Sequence, residues 1–278
     1  MDHLKRFFFR LYNSTQNRKA SRSLLRAARK GNSENYLALA ASYLDLTQAF
    51  LGASFAETDL ERSLRTERIF LRLWSKLPYA ERLSDYEYML TRDLLKESCQ
   101  ANCVLSPEPL VTKLRMLEPM TRFSILAYEF EKWPLRWVAL VMRIRVADLH
   151  RVLSEARCEL CGIVWDSLTE QERSLLQEVS VSLDKCPNLK INKALAEKIK
   201  SYPRVAEIKA LWLELRPELV EVRHRYIPDQ DVRETILKQI FIQTSETPML
   251  KPAVIDRMLN TVNFSRHGDT LASGASGN

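Results

Sequence analysis

The stretch WPLRWVALVMRIRVADLHRVLSEARCEL, residues 133–160, decides how the rest of this chain is read. Apolar residues recur at helical spacing on both sides of Met142-Arg143-Ile144-Arg145, which predicts two helices joined by a tight turn. Ala139 is small where two helices must approach closely. Val138, Met142, Ile144, Leu149 and Leu153 fall at core spacing, as a helix-turn-helix requires. Pro134 can open the first helix, because a missing N–H costs little in a first turn.

Helical spacing continues outward in both directions. Of the 278 residues, 46% are apolar and only six are glycine, with none between Gly162 and Gly268. Strand-like alternation between turn pairs is absent, so the expected fold is all-α. Tyr36 to Leu46 predict one helix, and Leu64 to Leu77 a long one that stops at Pro78. Ser84 or Asp85 caps a third, which reaches about Glu97. Ser106-Pro107-Glu108-Pro109 reads as a linker, since proline cannot continue a helix and restricts the residue before it. The chain thus divides into two small helical domains, 31–104 and 113–162, joined by a linker at 105–112. A C-terminal helical extension follows over 163–264. It opens at Leu168-Thr169-Glu170-Gln171-Glu172, a capped start, and is punctuated by Pro187, Pro203, Pro217 and Pro228. Residues 265–278 are small and polar and are expected to be disordered.

Charge is concentrated at one end. Residues 1–30 hold nine Lys or Arg against one Asp, and the remaining chain is close to balanced, within a net charge of +7. Such an arm can contact phosphate or an acidic protein surface, or it is simply a solvated, frayed tail. Phe7 to Phe9 form an apolar run too short for a secretory signal, and no window is apolar enough for a membrane span, so a soluble cytoplasmic protein without a membrane partner is expected. The five cysteines are odd in number. Cys158 and Cys161 form a CxxC on a predicted helix, but His150 and Cys186 lack the spacing to complete a zinc site. Buried free thiols are expected, with no metal and no cofactor. His3, His150, His224 and His267 are scattered, and no Gly-rich phosphate loop or nucleophile motif appears. The chain does not read as an enzyme.

Residues 117–160, LEPMTRFSILAYEFEKWPLRWVALVMRIRVADLHRVLSEARCEL, resemble the DNA-binding domain of sigma-70 family RNA polymerase sigma factors of the extracytoplasmic-function type. The resemblance runs through Leu117, Arg122, Ile125-Leu126, Val138-Ala139, Met142, Ile144, Leu149, Leu153, Ala156-Arg157 and Leu160, without a gap. Upstream, DLERSLRTERIFLRLWSKLP at 59–78 is similar to the same family's polymerase-binding helix, and Tyr88-Met89-Leu90 lies where the family often has Trp-Leu. The resemblance implies two partners, core RNA polymerase and promoter DNA. It assigns polymerase contact to Arg68, Phe70, Arg72 and Trp74. DNA contact falls to Arg136, Arg143, Arg145, His150 and Arg151, with Arg157, further along, supporting the fold or touching the DNA backbone.

Several positions depart from the family. Arg62-Ser63-Leu64-Arg65 stands where the family carries Ala-Glu-Asp-Leu, so two acids have become two bases. Asp85-Tyr86-Glu87-Tyr88, in the promoter-melting position, adds two acids to the aromatics. Arg143 replaces the turn glycine, a left-handed position that costs an L-residue about 1 kcal/mol, so a local difference in the turn is expected. The second helix, 146–160, carries Arg151 and Arg157 against Asp148, Glu155 and Glu159. The extension faintly resembles anti-sigma domains, lacks their zinc motif, and could fold over the two sigma-like domains. A second reading follows: a sigma-like or anti-sigma-like interaction scaffold that binds a regulatory protein and does not read DNA.

Overall fold

Among the described residues, helical spacing and few glycines produce thirteen α-helices and no strand. The computed structural model describes residues 18–99, 106–185, 193–247 and 249. Most of the basic arm, Cys186, Pro187 and the expected C-terminal tail lie outside that set. No described helix is long and apolar enough to cross a membrane.

The first group comprises α1 (Arg18–Ala28), α2 (Ser33–Ala41), α3 (Leu44–Ser54), α4 (Asp59–Lys76) and α5 (Leu83–Ser98). The single helix expected over Tyr36–Leu46 is broken at Ser42-Tyr43. Tyr43 turns its hydroxyl to the buried Glu87 carboxylate at 2.7 Å, and its ring packs on Tyr86. That anchoring competes with a continuous helix. Helix α4 starts at a reciprocal cap, in which the Glu61 carboxylate accepts from the Thr58 backbone N–H at 2.9 Å. It gives way at Leu77-Pro78-Tyr79 to a short 3-10 turn.

The second group comprises α6 (Pro109–Met116), α7 (Pro119–Ile125) with a wider π-type turn at Leu126–Phe130, α8 (Leu135–Met142) and α9 (Val146–Leu160). The expected linker at 105–112 is largely helical where described. Pro109 is the first residue of α6, and Leu110 and Val111 are already buried. Pro119 opens α7 as expected, while Pro134 caps α8 from one residue outside it.

The extension supplies α10 (Glu170–Lys185), α11 (Lys193–Lys200), α12 (Pro203–Tyr226) and α13 (Gln230–Glu246). The capped start is present: the Glu172 carboxylate accepts from the Thr169 N–H at 2.8 Å, and Thr169 Oγ1 accepts from the Glu172 N–H. Pro217 does not break the chain but sits inside α12. An internal proline costs roughly 3 kcal/mol. Burial on both sides of it, by Ile208 and Trp212 before and Leu219 and Val222 after, keeps the helix continuous.

The division into two small domains is not visible in the core. Buried apolar residues from Leu25 to Ile240 form one cluster. Helix α5 packs on α8, and α3 packs on α6 and α7. Trp137 of α8 donates its indole N–H to Glu87 of α5 at 2.5 Å. Arg122 of α7 reaches Ser54 Oγ at 2.7 Å and also donates to the Leu114, Arg115 and Leu117 carbonyls. A buried guanidinium satisfied in this way fixes the α6–α7 corner against α3.

Helix α12 crosses α3 at one close approach. A Cβ on Gly52 would lie 2.2 Å from the Tyr226 ring. Gly52→Ala should therefore lower stability in urea unfolding, because overpacking costs about 1–3 kcal/mol and outweighs a propensity gain of up to about 1 kcal/mol. In a Tyr226→Ala background the sign should reverse, and the same substitution should stabilise. A Gly52→Ala effect that ignores residue 226 would refute this packing.

Candidate nucleic-acid interface

The turn between α8 and α9 closes as a Schellman motif. Arg143 is left-handed, with φ 56° and ψ 39°. Its N–H bonds to the Leu140 carbonyl at 3.2 Å, and the Ile144 N–H bonds to the Ala139 carbonyl at 3.0 Å. Arginine here adopts the left-handed conformation that favours glycine. Its guanidinium lies 3.7 Å above the centroid of the Tyr88 ring on α5. A cation–π contact of about 0.5–1 kcal/mol offsets much of the left-handed penalty.

Of the five residues assigned to DNA contact, Arg136, Arg143, Arg145 and Arg151 are exposed. Arg136 and Arg143 are two turns apart on α8 and its end, so they share a face. Arg145 caps α9, 84% of its side chain is exposed, and it forms a two-bond pair with Asp148 at 2.7 and 2.9 Å. The Arg145 guanidinium holds the Asp148 carboxyl below its usual value. His150 differs from those four in burial. It is half-buried and lines a cleft of 610 Å³ together with Ser174, Glu178 and Lys198 from α10 and α11. Helix α9 packs on α10, which draws His150 to that side.

The rear of α9 is closed. Ser154, Ala156, Arg157, Cys158 and Leu160 are buried. Arg157 donates to Glu129 at 2.9 Å and to Ser180, and lies 5.2 Å from the centroid of the Trp212 ring. Glu129, in the π-type turn, also accepts from Arg216 of α12 at 3.1 Å. Of the two roles the sequence left open for Arg157, fold support or contact with the DNA backbone, its burial fits the first; sequence reasoning missed Glu129 and Arg216 as its neighbours. The available signal was one carboxylate inside the apolar run Ile125–Phe130. On the outer side, burial raises the Glu159 carboxyl, and the Glu155, Glu118 and Asp166 carboxylates raise it further. A polyanion laid along the whole of α9 would meet these carboxylates. The cationic surface is confined to the leading end.

The polymerase-contact set divides. Arg68 is exposed. Arg72 is exposed but paired with Glu97 at 2.5 Å and with Asp93 at 3.8 Å. Phe70 and Trp74 are interior, 0% and 4% exposed, and so present no docking face in this packing. The same apolar row that suggested a contact surface is the core stripe of α4. Tyr36 bonds the Phe70 carbonyl and packs its ring 5.0 Å from that of Trp74. The Trp74 indole N–H donates to the Thr247 carbonyl at 3.2 Å. Of the aromatic-acidic run that the sequence resemblance aligned with promoter melting, Tyr86 and Glu87 are buried, and Tyr88 lies beneath Arg143.

Burial pushes the Cys158 thiol up to about 12 and the Cys161 thiol to about 11, so both remain protonated at neutral pH. No family model, curated protein or solved structure matches this chain.

Two outcomes test these contacts. Glu129→Gln leaves two guanidiniums short of their counter-charge and should cost roughly 3 kcal/mol in urea unfolding. A loss under about 1 kcal/mol would remove the network from the account. Burial alone would raise the Glu97 carboxyl, but Arg72 and Arg65 outweigh it and hold Glu97 below its ordinary value. Its contribution is therefore complete above about pH 5 and declines as pH falls through the folded value. Glu97→Gln should lower stability at neutral pH and flatten the decline on acidification, as followed by unfolding at a series of pH values.

Proposed function

We propose that this chain is a sigma-like transcription factor that meets duplex DNA with the leading end of its helix-turn-helix and engages core RNA polymerase through its first helical group. The observation that carries the reading is the α8–α9 turn. It keeps the left-handed geometry of a glycine-bearing helix-turn-helix although arginine occupies the position, and it displays Arg136, Arg143, Arg145 and Arg151 around it. A helix entering the major groove places its N-terminal residues on base edges, with flanking cations on phosphates. The sequence resemblance over 59–78 and 117–160 adds polymerase as the second partner. One observation favours an interaction scaffold without DNA reading: carboxylates flank the outer side of α9, and Asp148 already pairs with Arg145.

Duplex binding measured against salt separates the two readings. Four phosphate-contacting cations predict a log–log slope of about −3 to −4. Arg145→Ala with Arg151→Ala should bring the slope nearer zero by roughly 2 and weaken any preference among duplex sequences. A wild-type slope near zero, or a double variant indistinguishable from wild type, would favour the scaffold. Co-purification with core polymerase tests the second partner.

A further inference from the structure

Consecutive residues of α5 hold the two ends of α8. Glu87 accepts the Trp137 indole N–H at 2.5 Å, near the start of α8. Tyr88 presents its ring face to Arg143, just past the end of α8, and the guanidinium lies 3.7 Å from the ring centroid. Glu87 is buried and Tyr88 half-buried, so the first contact lies in the core and the second at its rim. The turn that a duplex would meet is therefore held from outside the helix-turn-helix, by a helix of the first group.

The kind of partner matters. Arg145, in the same turn, is paired with Asp148 at 2.7 Å and must exchange that carboxylate for a phosphate before its full charge counts. A ring face holds a cation through its quadrupole and leaves the formal charge intact. It also leaves the edge of the guanidinium for a two-bond contact with phosphate. Arg143 is exposed, and its backbone is set by the left-handed turn. A side chain ordered in advance loses less freedom when it is bound.

We infer that Tyr88 is a positioning residue for duplex contact: it holds the Arg143 guanidinium in place, with its charge intact, so that the first helical group sets one phosphate contact of the second. The inference rests on the duplex-binding reading and adds to that site a residue from α5. The two groups then meet a duplex as one body, because α5 packs on α8 beside this contact.

The test uses the full chain and a mixed-sequence DNA duplex, with urea unfolding to establish that each variant is folded. Arg143→Gly keeps the left-handed turn, which glycine adopts freely, and removes the charge. It should bring the log–log salt slope nearer zero by about 1. Tyr88→Leu removes the ring and leaves the charge. It should weaken binding roughly two- to tenfold at a fixed salt concentration, because Arg143 must then be ordered on contact. Tyr88→Phe keeps the ring face and should recover affinity to within about twofold of wild type. In the Arg143→Gly background, Tyr88→Leu should cause no further loss, a coupling that a general packing role would not produce. A Tyr88→Leu loss that persists in that background overturns the inference, as does Tyr88→Phe binding no better than Tyr88→Leu. A Tyr88→Leu chain that fails to fold would make Tyr88 a core residue and overturn it too. The wild-type slope decides the reading beneath. A slope of about −3 to −4 with Tyr88→Leu unaffected removes Tyr88 alone, and a slope near zero removes duplex binding with it.

Discussion

The arrangement depends on a buried charge cluster. Glu129 and Arg157 are both withdrawn from water. A buried charge is strongly destabilising once its partner is removed, because the desolvation it has suffered is then uncompensated. Satisfying them requires several elements at once: the π-type turn for Glu129, α9 for Arg157, α10 for Ser180, and α12 for Trp212 and Arg216. The turn and α9 supply the ion pair itself, and α10 and α12 supply its remaining partners. The extension is thereby committed to the back of the helix-turn-helix, and only the leading end of α9 stays open.

That commitment propagates across the molecule. With α12 fixed on α9 and α10, its C-terminal end falls on α3, where Tyr226 lies on Gly52. Arg223 clasps Glu131 and Arg225 pairs with Glu108 near the same end. The turn after Tyr226 then delivers α13 to α4. Glu87 performs a comparable service between the two sequence-defined groups. It accepts from Tyr43 and from Trp137, and so ties α5 and α8 to the corner between α2 and α3. Polar groups that are costly to bury set the register in which the less directional apolar surfaces pack.

The electrostatic consequence is an asymmetric second helix in the helix-turn-helix. Its N-terminal side gathers exposed guanidiniums, while on its outer side burial and the neighbouring Glu155, Glu118 and Asp166 carboxylates raise the Glu159 carboxyl. The exposed cations of this helix are therefore gathered at one end. The left-handed Arg143 contributes to that end twice, as the residue that closes the turn and as a charge held over Tyr88.

The sequence by itself determined the all-helical class, most helix starts and the helix-turn-helix. These follow from local physics: period-3.6 apolar spacing, caps such as Thr169 with Glu172, and proline at first turns, each acting within a few residues. It also fixed which row of α4 is apolar. What covers that row was decided only by tertiary structure, because an apolar stripe is the same signal whether it meets a partner or the chain's own helices. Phe70 and Trp74 therefore read as a docking face and proved to be core. The same limit applies to His150 beside the cleft, to Pro217 inside α12, and to the shared core beneath the expected linker. Each depends on contacts between residues far apart in the chain, which no local pattern encodes.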